Sequence, residues 1–370
     1  MENVANNVLY GQNDRRNYGI DLLRIVSMLL ICLWHTLGHG GVFSAIEPMS
    51  AGYYSALFLE SIAIFAVNCY ALISGFVGVK ATYKFTNIIY LWLQVVFYSL
   101  IITLIFFIFK PEAVSIKHLF FSIIPVTVTR YWYFTAYFGL FLFMPLLNYV
   151  IINAPKNVLK WSLLAIIIGF TVLTRVSDTL FGLNAGYSVL WLIVLYLVGG
   201  YYVKYKPLGK LKTGTLVWFL FFAVVVTWLS EPLIRVVTVW LFGTPRFVWI
   251  FTRYTSPTVF IASVIMLELF SRITFKKKPS TIAFLASLTF GVYLIHDNIV
   301  IRNNVISGWF ASYATLNPIL MVLCVLGTAL CIYIVCSAID ALRLLLFKLL
   351  KIKPGLQKLE TKIKNKLVKE

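Results

Sequence analysis

Arg24 and His35 are the two residues whose types and spacing point to chemistry. They stand in YGIDLLRIVSMLLICLWHTLGHGG, Tyr18 to Gly41, a run otherwise dominated by apolar residues. Eleven positions at about 100° each make three turns plus roughly 20°, so on a helix both side chains leave the same face. At about 1.5 Å per residue they lie roughly 16 Å apart along the axis, more than half of a hydrocarbon core about 30 Å thick. An imidazole, with an ordinary pKa near neutrality, suits proton transfer from a hydroxyl. A guanidinium suits bidentate binding of phosphate. Ionisable groups within a span are expensive and usually functional. The plainer readings are an Asp21–Arg24 pair that anchors the helix end and a His35 that bonds a neighbouring helix.

The rest of the chain must hold that helix in a membrane. Of 370 residues, 61% are hydrophobic and 16% aromatic, against about 45–50% apolar content in soluble domains. Apolar windows near 18–38, 52–79, 85–109, 132–152, 158–174, 187–203, 214–230, 256–271, 280–300 and 318–347 predict an all-α polytopic membrane protein with about ten transmembrane helices. Segments 113–130 and 231–255 are broken by Pro125, Pro232, Arg235, Pro245, Arg246 and Arg253, and read as re-entrant or interfacial pieces. The N-terminal run has no small-residue cleavage site and contains Arg24, so it reads as a retained span.

The formal net charge of +19 follows topology rather than a nucleic-acid partner. Lys and Arg number 23 on one side of the predicted spans and 8 on the other, with Arg24 inside the first. The heavy side is expected to be cytoplasmic, with both termini there. The organisation is then a cytoplasmic segment at 1–17, a transmembrane unit at 18–347 and a basic cytoplasmic tail at 348–370. In the tail Leu356, Leu359, Ile363 and Leu367 recur at helical spacing among lysines, as in an amphipathic helix lying on anionic membrane lipids; a solvated coil is the alternative. All five cysteines fall in apolar segments, with no disulfide or zinc spacing.

Other candidates are fewer. Lys80 and Lys84 at the inner end of the second span can add charge for phosphates, or merely fix topology. His39, one turn beyond His35, gives a helix face two imidazoles. No carboxylate or thiolate stands nearby in sequence to complete a metal site, so no metal is expected and His39 reads as a mouth residue. Glu60, Asn68 and Ser74 are polar positions in the second span, where Ser74 and Gly75 permit close helix approach. Arg130, Trp132 and Tyr133 fit an outer aromatic belt with a snorkelling arginine, or the rim of a sugar-binding mouth. His296 and Asp297 end the ninth span, His296 as an interfacial or acceptor-side residue.

Four of these stretches resemble one family. Arg24 followed after ten residues by His35, the Ser74-Gly75-Phe76 element, the Trp132-Tyr133 entry and the Tyr293-Leu294-x-His296 ending are similar to the pattern of the acyltransferase-3 proteins, integral membrane enzymes that acylate surface glycans. The resemblance implies an O-acetyltransferase, one that transfers groups other than aminoacyl groups, in the plasma membrane of a bacterium. It would draw an acyl group from cytoplasmic acetyl-CoA or another acyl-CoA, as co-substrate rather than bound cofactor. The acceptor would be a hydroxyl of an outward-facing surface glycan or lipid-linked saccharide. His35 would be catalytic, as general base or through a transient acyl intermediate, and Arg24, Lys80 and Lys84 would bind the donor. Many members carry R-x-x-R after the second span; this chain has Lys80 and Lys84, which lack the planar fork. A transporter or flippase for a glycolipid or exopolysaccharide is the competing class, though the chain shows no matching helix breaks in two halves. Oligomeric state is not written in the chain.

Overall fold

The computed structural model describes residues 16–175 and 177–367; most of the N-terminal segment expected at 1–17, and the last three residues of the tail, lie outside the described residues. Every regular element among them is helical. The first helix, Tyr18–Leu37, begins where the Asn17 side chain accepts from the Ile20 N–H at 3.2 Å, and Asp21 suits the positive end of its dipole. No Gly or Pro interrupts it from Ile20 to Leu37. It packs against Ala51–Ala63, Ala66–Gly78, Pro257–Ser271, Ser280–His296 and Pro318–Leu349. The chemistry-bearing helix is therefore enclosed by other helices.

Among the described residues seven helices are long and apolar enough to cross a bilayer, with Ala51–Gly78 taken as one. There are nine if each of two bent pairs is one span: Leu180–Gly186 with Val189–Tyr205, bent by 77°, and Ser280–His296 with Ile299–Ile306, bent by 51°. Pro257–Ser271 is apolar but only 15 residues long, short of the roughly 20 that a perpendicular crossing takes. Outward-facing Phe109, Trp218 and Trp240 leave the bundle with the apolar exterior a membrane protein needs.

The first part of segment 231–255, as far as Phe242, corrects the sequence expectation, while 243–255 is non-helical. Thr213–Phe242 runs unbroken through Pro232, and Arg235 binds Glu231 one turn earlier at 2.6 Å. A charge that argued against a span is neutralised within the helix. Asp21–Arg24, Glu268–Arg272 and Asp340–Arg343 repeat the device. Glu60 is the exception, since no arginine stands a turn away on its own helix. Segment 113–130 contains one short helix, Ile116–Ile123, between turns.

Two glycines set one close helix contact. A Cβ on Gly75 would lie 2.0 Å from the Tyr196 carbonyl oxygen, and one on Gly199 would lie 2.1 Å from that of Leu72. Backbone meets backbone there, as small residues in membrane helices allow. The tail forms a helix over Ile352–Leu367, and its Glu360 accepts a hydrogen bond from the Thr86 hydroxyl. The basic loops gather at one end of the bundle, where Lys80, Lys206 and Arg272 line a single cavity with Arg16 and Arg24.

Candidate active site

At the basic end Asp21 is buried and accepts from two arginines, Arg16 Nε at 2.5 Å and Arg24 Nη1 at 2.7 Å. The anchoring pair read from the sequence is real, yet it does not exhaust Arg24. Nη1 alone among its side-chain nitrogens is bonded within the described residues, and the guanidinium borders three cavities. The largest, about 1050 Å³, also takes in Arg16, Lys80, Lys206 and Arg272. A second, about 190 Å³, holds Lys84 and Ser74; a third, about 260 Å³, runs inward past Tyr70, Tyr133, Tyr137, Ser287 and Thr289. Five cations against two carboxylates, Asp21 and Glu268, around a wide opening leave it net positive, which suits a polyanion. Arg16, Lys206 and Arg272 join Lys80 in the largest cavity and Lys84 lines the second; in the sequence the first three counted only toward the charge of the heavy side.

Tyr70, Tyr133 and Phe290 also border a fourth cavity, of about 40 Å³, that reaches His35. The Arg24-to-His35 helix face is thus flanked by a row of adjoining cavities. Tyr70 fastens it, its hydroxyl donating to the Arg24 carbonyl at 2.8 Å, while Ser74 bonds back to the Tyr70 carbonyl at 2.9 Å.

His35 is buried, and its Nδ1 lies 3.0 Å from Nε2 of His296. His296 Nδ1 in turn lies 2.6 Å from the Val292 carbonyl oxygen. A backbone carbonyl only accepts, so with both rings neutral His296 carries its proton on Nδ1 and presents a lone pair at Nε2. His35 must then donate from Nδ1. Its Nε2 is left as an unprotonated lone pair, which is what a proton acceptor or nucleophile requires. His296 is thus buried within the helices, and its hydrogen bond fixes which nitrogen of His35 carries the proton.

Asp297 Oδ1 stands 3.9 Å from His35 Nδ1 and 3.3 Å from Arg302 Nη1. Exposed His39 has its ring centroid 4.8 Å from that of His35. The fold thus supplies the carboxylate absent from the local sequence, placing His35, His39 and Asp297 ligand atoms within 4.8 Å of one another. Tetrahedral zinc with ligands at 2.0–2.1 Å has edges of about 3.4 Å. The group is wider than that, and His35 Nδ1 already bonds His296.

The other acceptor-side candidates divide. Trp132 borders the His35 cavity and stacks on Tyr254, centroids 5.9 Å apart at 17°, with Tyr187 4.5 Å from Trp132; Tyr133 borders the same cavity. Arg130 is directed elsewhere: Nη2 donates to Thr103 Oγ1 at 2.7 Å and Nη1 to the His118 carbonyl at 3.2 Å, joining Phe85–Phe109 to Ile116–Ile123. Asn68 is supporting, accepting from Trp191 Nε1 at 3.0 Å and donating to the Tyr254 carbonyl at 2.8 Å. Glu60 gains the partner its sequence did not reveal: Oε1 accepts from Trp34 Nε1 at 3.2 Å, while buried Oε2 has no partner among the described residues.

A helical membrane protein with a cation-lined opening at one end, an oriented histidine near the other and adjoining cavities between them has the parts of a group-transfer enzyme. A family model described as an acyltransferase domain, that of acyltransferase family 3, matches residues 17–338. The chain belongs to that family and is a membrane acyltransferase. No curated protein and no solved structure matches it.

Proposed function

We propose that the protein moves an acyl group, acetyl in the first instance, from cytoplasmic acyl-CoA to a hydroxyl of an outward-facing surface carbohydrate in a bacterial plasma membrane. The observation that carries this reading is the row of cavities from the Arg24 guanidinium to the oriented His35. The donor's phosphates lie among Arg16, Arg24, Lys80, Lys206 and Arg272 at the cytoplasmic end, and its pantetheine arm follows the hydroxyl-lined passage to His35. The acceptor enters from the opposite side, past His39, Trp132 and Tyr254, where aromatic faces suit a sugar ring. His35 Nε2 takes the acceptor hydroxyl proton as the oxygen attacks the thioester carbonyl. The tetrahedral intermediate then expels the CoA thiolate, which receives that proton from the imidazolium. Glu60, Asp297 and Arg302 supply polar groups near the acceptor side.

The deciding experiment follows radiolabel from acetyl-CoA into glycan in inverted membrane vesicles, with right-side-out vesicles as the orientation control. Label is expected in glycan only where the basic end faces the added donor. Vesicles that move glycan across the bilayer but never transfer label would establish a transporter instead.

Arg24 gives a second expected outcome. Arg24→Lys keeps the charge but loses the planar fork, so the KM for acyl-CoA should rise about tenfold while the protein still inserts. A role confined to anchoring Asp21 predicts an unchanged KM, since a lysine still pairs with that carboxylate.

A further inference from the structure

We propose that Val67 and Phe290 form an acyl-length limit that confines the transferred group to short chains, of about two to four carbons. This rests on the acyl-CoA reading above and names the part of the donor that the His35 cavity accepts. That cavity has about 40 Å³, roughly a quarter of the 150 Å³ of an engineered apolar cavity that takes a benzene ring. It therefore has room for a few heavy atoms at most. Its apolar wall comes from Met28 and Ile31 on the first helix, Val67 on Ala66–Gly78 and Phe290 on Ser280–His296.

Two of these side chains narrow the cavity. Val67 is buried and β-branched, which restricts it to few rotamers. Half-buried Phe290 packs beside Phe134 and Tyr293, whose ring centroids lie 5.9 and 6.2 Å away. Phe290 also borders the passage from Arg24, together with Tyr70 and Tyr133. An acyl chain brought along that passage meets this ring where it turns in beside His35. Met28, unbranched and adaptable, gives the wall what little compliance it has.

The test is a panel of acetyl-, butyryl-, hexanoyl- and octanoyl-CoA offered to the full-length enzyme in vesicles, scored as transfer efficiency relative to acetyl within each preparation. That ratio does not depend on how much of a variant is folded. One extra methylene in a hydrophobic pocket is worth about 10–200-fold; hexanoyl-CoA should therefore be used at least about 100-fold less efficiently than acetyl-CoA by the wild type. Val67→Ala and Phe290→Ala should each raise the hexanoyl-to-acetyl ratio by about tenfold or more. A wild type that uses octanoyl as well as acetyl, or a ratio unmoved in both variants, overturns the length limit while leaving the acyltransferase reading intact. Absence of transfer from every donor overturns that reading, and the limit with it.

Discussion

His35→Gln should abolish acyl transfer, by about 10²–10⁴-fold in turnover, the usual contribution of a positioned general base. Glutamine is close in size and its amide can still reach His296, so the variant should insert and purify as the wild type does. A histidine that only bonded a neighbouring helix would contribute about 0.6 kcal/mol, the average for such bonds within membranes, and activity would fall no more than about threefold. The two outcomes differ by at least an order of magnitude, enough for a label-transfer assay in vesicles to separate them. Retention of activity within threefold would remove His35 from the chemistry.

His296→Phe should cost about 10²-fold, although His296 reaches the substrate only through His35. Phenylalanine fills the buried volume but offers no acceptor to His35 Nδ1, 3.0 Å away in the native pair. His35 is then free to carry its proton on either nitrogen, and the lone pair at Nε2 is no longer assured. His296→Gln restores an acceptor oxygen and should recover activity to within about tenfold of wild type. That recovery is the measurement that matters, because a merely structural role predicts no advantage of glutamine over phenylalanine. Equal activities of the two variants would end the positioning role.

The sequence carried the helical class, the membrane and the Arg24-to-His35 face, because each is local: periodicity, hydropathy and spacing along one helix. It carried the Asp21–Arg24 pair for the same reason. The His296 pairing was not legible, since residues 261 positions apart meet only through packing, and a histidine at a helix end reads as interfacial until its neighbours are known. The approach of Asp297 to His35 was hidden in the same way, as was Tyr254, within a stretch marked chiefly by its prolines and arginines. Arg130 shows the converse: its aromatic neighbours made it look like a binding residue, whereas its hydrogen bonds tie two helices together. The helix through Pro232 was misjudged because composition weighs an arginine as a cost and cannot see its partner a turn away.

Those one-turn partners bear on how the chain reaches the bilayer. In Asp21–Arg24, Glu231–Arg235, Glu268–Arg272 and Asp340–Arg343 each carboxylate brings its own cation on the same helix. A nascent segment can therefore leave the insertion machinery already neutralised, without waiting for a companion helix still on the ribosome. Glu60 and His35 have no such companion: Glu60 bonds Trp34 of the preceding span, and His35 bonds His296, synthesised far later. Insertion can proceed segment by segment during synthesis, whereas the reactive end of the molecule comes into being only after the Ser280–His296 helix has arrived.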